Sequence, residues 1–196
     1  MSAGRPREFN FDAALDRALH VFWSKGYEGT SLPDLTEAMG INRPSLYATF
    51  GNKEELFRKA LDRYAAESKK RLDETLDQPT AYAAIEKLLY GMADGSACPK
   101  SPKGCLLVQG ALACGEEAQP IKEELVRRRQ AAETAMRRRF ERGIADGDIP
   151  PTTSASDLAR FYATVMHGMS IQSTGGASAD DLRGVAQCAL MAFPRK

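Results

Sequence analysis

A chain of 196 residues, 43% of them apolar and 27% charged, is long enough to bury a sizeable core and has the make-up of an ordinary globular protein. No apolar run approaches the roughly 18 residues of a membrane span. The polar, basic start MSAGRPREFNF lacks the apolar stretch of a secretory signal, and four cysteines in a chain of this length read as reduced thiols, so the expected compartment is the cytoplasm, with no membrane partner. The net charge of +1, and eight Lys/Arg against eight Asp/Glu in the first 60 residues, do not advertise nucleic-acid binding; any such function rests on where the charges sit.

Nearly every segment reads as helix. From about Asn10 to Lys25, Phe11, Leu15, Ala18, Leu19, Phe22 and Trp23 recur at steps of three and four, which builds one buried stripe. Asn10 is placed to cap this helix and Gly26 to stop it. Ser31 and Asp34 form a capping-box pattern for a short helix to about Met39, with Pro33 tolerated in its first turn and Gly40 ending it. Asn42 then caps a second short helix, Arg43 to about Thr49. Gly51-Asn52-Lys53-Glu54-Glu55 opens a long helix to about Leu76. Further helices are expected at about Ala81–Met92, Cys105–Cys114, Ile121–Ala145, Ser156–Gln172 and Ala179–Ala192, with a loop over Asp94–Gly104 and firm breaks at Pro150-Pro151 and Gly175-Gly176. No strand pattern or internal repeat is evident, so the fold class is all-α.

Two short helices joined by a glycine-containing turn and packed on a longer first helix make a helix-turn-helix. Its second helix must lie in a major groove with its N-terminal residues towards base edges. Those residues are Arg43, Pro44, Ser45 and Tyr47, none of them acidic. Leu46 and Phe50 point the other way, towards Leu35, Met39 and Ile41. Tyr47 is expected to be outside the core, and Phe22, Trp23 and Phe50 within it.

The order and spacing of G-Y-E-G-T-S at 26–31, A-M-G-I at 38–41, S-L-Y-A-T-F at 45–50 and G-N-K-E-E-L at 51–56 resemble the N-terminal domain of TetR-family transcriptional regulators, over roughly residues 9–64. The resemblance implies a three-helix DNA-binding domain with a basic N-terminal arm at 1–52, followed by a larger helical sensor and dimerisation domain at 53–196. It implies that Thr30 and Ser31 hold a backbone phosphate at a helix N-terminus, that Arg43, Ser45 and Tyr47 touch bases and phosphates, and that Lys53 pairs with phosphate. Arg43 is the best base reader because its fork suits guanine. Arg5 and Arg7 form an arm that either enters the minor groove or is a plain soluble tail. The implied function is a homodimeric DNA-binding regulator, a repressor, that leaves a palindromic operator when a small-molecule inducer, oxidant or electrophile acts on the second domain.

The sensor half offers Tyr64, Leu88, Met92, Leu106, Leu112, Phe140, Tyr162, Met166 and His167 as pocket candidates, and each also reads as ordinary core. Broad apolar faces, Leu158 to Met169 on the eighth helix and Val185 to Phe193 on the last, are expected to pair two copies. Cys105, at the start of an expected helix beside Lys100 and Lys103, is a candidate reactive thiol. Gly-Cys-Leu-Leu at 104–107 resembles some thiol-responsive members of the family. Cys98 is the better disulfide partner for it, since Cys114, nine residues on, faces the other side of that helix; a small buried hydrophobe is the alternative for Cys105. No zinc spacing, phosphate loop or nucleophile–base pair is evident, so no cofactor, metal or catalytic residue is expected. The clusters Arg127–Arg129 and Arg137–Arg139 read as a solvated face paired with Glu123, Glu124, Glu133 and Glu141. The rival functions are an enzyme and a helical adaptor with a vestigial helix-turn-helix.

Overall fold

The computed structural model describes residues 10–98, 101–112 and 114–195. All regular structure among them is helical: α1 Phe11–Lys25, α2 Leu32–Met39, α3 Arg43–Phe50, α4 Lys53–Leu76, α5 Ala81–Gly95, α6 Leu106–Gln109, a 3-10 turn Glu116–Ala118, α7 Gln119–Ala145, α8 Ala155–Thr174 and α9 Ala179–Met191. No helix among the described residues is long and apolar enough to cross a membrane. Arg5 and Arg7 lie outside the described residues.

The first four helices start where short polar side chains satisfy first-turn amides. Asn10 accepts from the Ala13 amide at 2.9 Å and Asn42 from that of Ser45 at 2.9 Å. Ser31 with Asp34, and Asn52 with Glu55, form reciprocal capping boxes. Gly40, at φ 69° and ψ 33°, closes α2 in the left-handed conformation that costs glycine least, which sets the turn into α3.

Two cores result. One joins Ala14, Leu15, Ala18, Leu19 and Phe22 of α1 to Leu35 and Met39 of α2, Leu46 and Phe50 of α3, and Leu56, Phe57, Ala60, Leu61 and Tyr64 of α4. Leu106, Ala111, Ile121 and Leu125 complete it. The cores therefore do not divide at residue 53: the first half of α4 and parts of the α6 segment and α7 belong to the N-terminal core. The second core joins α5, α7, α8 and α9 around Ile85, Leu89, Met136, Phe140, Tyr162 and Phe193.

Two elements depart from the sequence reading. α5 continues one turn beyond Met92, to Gly95. The helix expected over Cys105–Cys114 is only Leu106–Gln109, because the Gly110 carbonyl leaves the helical ladder to accept from the Tyr27 amide at 2.8 Å. Gly26, at φ 72°, lets the backbones approach: a Cβ there would meet the Gly110 oxygen at 3.3 Å. Cys105 is thus the residue before a four-residue helix, and Cys105 and Cys114 do not share a helix, so the helix-face argument against their pairing lapses.

Candidate nucleic-acid interface

α3 shows two faces. Leu46 and Phe50 are fully buried, with the Phe50 ring stacked on Phe11 at 4.7 Å between centroids. Arg43, Pro44, Ser45 and Tyr47 are exposed, Tyr47 to 49% despite its size. Arg43 makes no ion pair among the described residues. The helix therefore presents an unpaired guanidinium, a hydroxyl and a phenol from a rigid, anchored rod, the chemistry that major-groove contact needs.

Around it the neighbours divide. Ser31 is exposed at the start of α2, with its hydroxyl donating to Asp34 at 2.7 Å. Lys25 binds the other oxygen of Asp34 at 2.6 Å, and that ion pair with the Ser31 hydrogen bonds holds the Asp34 carboxyl well below the usual carboxylate range. Lys53 lies over the Tyr27 ring, its ammonium 4.6 Å from the centroid. Partial burial there pulls the Lys53 pKa down, against the Glu28 carboxylate, which pulls it up. Thr30 is corrected: it is 1% exposed and its hydroxyl donates to the Gly26 carbonyl at 2.6 Å, so the side chain fixes the α1–α2 turn and is not presented to a phosphate.

Five of the sensor candidates, Leu88, Met92, Phe140, Tyr162 and Met166, share the second core, and the other four lie apart from that cluster. Tyr64 and Leu106 belong to the N-terminal core, Phe140 and Tyr162 are packed in the second core with Phe193, and Leu88 and Met92 pack against its edge. Leu112 is corrected: it is 58% exposed, because the helix that would have turned it inward ends at Gly110. Met166 and His167 are half-buried on α8, and burial with nearby Arg129 pushes the His167 pKa down. None of the nine lines the cavity of about 1020 Å³ between α4 and α7.

Cys98 is exposed and Cys105 half-buried, both as free thiols. The Tyr64 hydroxyl donates to the Cys105 sulfur at 3.3 Å, and burial, then Cys105 itself, drives the Tyr64 pKa well up. Trp23 packs edge-on against Tyr64 and donates from Nε1 to the Gly104 carbonyl at 3.3 Å. Cys105 therefore sits against the junction of α1 and α4, a placement its sequence spacing did not reveal. Among the described residues no group of three or more His, Cys, Asp or Glu side chains is placed to hold a metal ion. Arg127, Arg128 and Arg137 do pair with carboxylates as expected, but Arg139 is corrected: it is 4% exposed, on the inward stripe of α7.

Residues 14–60 match the family of bacterial regulatory proteins of the tetR type, and residues 81–187 match the tetracyclin repressor-like C-terminal domain. The HTH-type transcriptional repressor ComR of Escherichia coli is 35% identical over 98% of this chain and 93% of its own length. The HTH-type transcriptional repressor BdcR of the same organism is 31% identical over 95% of this chain and 90% of its own. A cysteine-substituted TetR family transcriptional regulator, CifR, solved in complex with 26bp double-strand operator DNA, superposes with a TM-score of 0.93 at 42% identity over 97% of this chain and 100% of that one. With both halves matched and full-length relatives above 30% identity, the chain belongs to the TetR family of DNA-binding transcriptional regulators.

Proposed function

We propose that the chain acts in the cytoplasm as a homodimeric repressor that binds a palindromic operator through α3 and releases it when the C-terminal half receives a chemical signal. The observation that carries this reading is the two-faced α3: Leu46 and Phe50 hold it down while Arg43, Ser45 and Tyr47 stand clear. Ser31 and Lys53 flank it as phosphate contacts. The repressor names of ComR and BdcR and the operator complex of CifR support the same reading. Phe161 and Ile171 on α8 and Val185 and Met191 on α9 are large, apolar and exposed, which favours burial against a second copy. The chain works by binding and not by turnover, as its family does.

Cys105 is the favoured receiver of a reactive signal. A group added to its sulfur would compete for the space held by Tyr64, and Tyr64 rests on Trp23 of α1. Cys98, exposed after α5, is its candidate disulfide partner under oxidation.

The test is genome-wide footprinting with purified protein. The expected result is a set of two-fold symmetric footprints with half-sites one helical turn, about 34–36 Å, or a multiple of it apart. Binding without symmetry, or no sequence preference above random duplex, would refute the reading.

A further inference from the structure

The cleft between α4 and α7 has a chemistry of its own. It exists because both helices turn small side chains to it, Ala65 and Ser68 from α4 and Ala131, Ala132 and Ala135 from α7, which leave a gap that larger residues would fill. Leu72, Leu76 and Leu107 add apolar wall. Its volume of about 1020 Å³ is at the upper end for a small-molecule site. From Arg128 to Arg142 the lining of α7 runs about 21 Å at 1.5 Å per residue, so the space is long rather than round.

One end is basic. Arg138, Arg139 and Arg142 all line it. Arg138 has no ion pair among the described residues, and Arg142 donates only to the Leu76 carbonyl, at 3.3 Å. Arg139 is almost wholly buried. Its Nη2 donates to the Gln78 carbonyl at 3.2 Å and lies 3.8 Å from Asp148, whose same oxygen also accepts from the Ala81 amide. Its Nε and Nη1 have no hydrogen-bond partner. Loss of solvation, and then Arg142, destabilise its charge, while Asp148, Asp146 and Asp77 oppose them. A buried guanidinium with two unmade hydrogen bonds costs stability and calls for an explanation in function.

We propose that this cleft binds an organic anion with a single carboxylate head, held by the arginines at 138, 139 and 142, and an unbranched apolar tail along the alanines of α7. The guanidinium fork matches a carboxylate in two parallel hydrogen bonds. Glu74 on α4 and Asp77 just after it disfavour a doubly charged head, while Asp73 is paired with Lys69. The proposal rests on the reading that the C-terminal half receives a small-molecule signal, and it names the class of that signal.

The test is calorimetric titration of the full chain with octanoate, octan-1-ol, octyltrimethylammonium and octyl phosphate. Octanoate is expected to bind, with the alcohol and the cation weaker by about tenfold or more, the effect of losing a charge-assisted hydrogen bond. The paired substitution Arg138→Gln with Arg142→Gln, both exposed, is expected to weaken octanoate by a similar factor without lowering the Tm of the free protein. Ala132→Phe, which fills the tail channel, is expected to abolish binding even where an Arg139 variant fails to fold. Equal binding of octanoate and octanol, an unaffected double variant, tighter binding of octyl phosphate, or no octanoate binding at millimolar concentration would each overturn the proposal. Operator release is read separately by anisotropy: octanoate that binds without loosening DNA supports the site and removes only the release reading.

Discussion

Arg43→Ala isolates base reading from folding. Arg43 is exposed and makes no ion pair among the described residues, so its removal is expected to change stability by no more than about 0.5 kcal/mol, as for surface sites in general. A side chain reading a base by a bidentate pair contributes about 1–3 kcal/mol of discrimination. A two-fold complex uses it twice, so the specificity ratio between operator and random duplex should fall by about 2–6 kcal/mol, or roughly 30-fold to 20,000-fold. The assay is fluorescence anisotropy on operator and scrambled duplexes over a salt series. If Arg43 reads bases, the operator affinity collapses towards the random value while the random value holds. Equal losses on both duplexes, with the salt slope shallower by about 0.9 per protomer, would make Arg43 a phosphate contact and refute the argument.

Three further outcomes follow from the geometry. Leu46→Ala, at a fully buried position, should cost about 2–5 kcal/mol in urea unfolding and abolish operator binding; near-neutral behaviour would show that α3 is not anchored as described. The His167 pKa is held below its ordinary 6.5 by burial and Arg129. The unfolded chain therefore takes up a proton near pH 6.5 that the native state refuses until lower pH, and stability should fall as pH drops through that window. His167→Gln should flatten the Tm–pH curve there, and an unchanged slope would place the dependence on other groups. Cys105→Ser should leave operator binding intact and remove release by a thiol alkylating agent such as N-ethylmaleimide; release that persists in the variant would exclude Cys105 as the receiver.

What was legible in the sequence was local. Asn42, Gly40 and the Asn52–Glu55 box act within a few residues of themselves, so the positions of α2, α3 and α4, and the outward face of α3, could be read directly. What was not legible depended on distant partners. The expected helix at Cys105–Cys114 has suitable residues, but it ends at Gly110 because Tyr27, far away in the chain, takes that carbonyl. Thr30 looks like a phosphate contact until Gly26 claims its hydroxyl. Arg139 was readable in principle: Met136, Phe140 and Gly143 repeat at helical spacing and set it on the buried stripe of α7, a signal hidden by the run of three arginines.

Residues 104–112 and 114–115 hold the end of α1 by a set of hydrogen bonds whose strength can be compared with that of a conformational signal. Trp23 Nε1 donates to the Gly104 carbonyl at 3.3 Å, Gln109 donates to the Trp23 carbonyl at 3.2 Å, the Tyr27 amide donates to the Gly110 carbonyl at 2.8 Å, and the Gly115 amide donates to Glu28 at 2.8 Å. All four grip the C-terminal end of α1 or the turn that follows it. At about 0.5–1.5 kcal/mol net each, the set amounts to roughly 2–6 kcal/mol. Moving an equilibrium from almost all bound-competent to almost none needs about 5.5 kcal/mol of differential affinity. The two figures are of the same order, so the grip is strong enough to hold α1, and with it α2 and α3, in one arrangement. Leu106, Ala111, Ile121 and Leu125 sit in the same core as Leu46 and Phe50 of α3, so the proposed signal has packed side chains between the C-terminal side and the DNA-facing rod to act through.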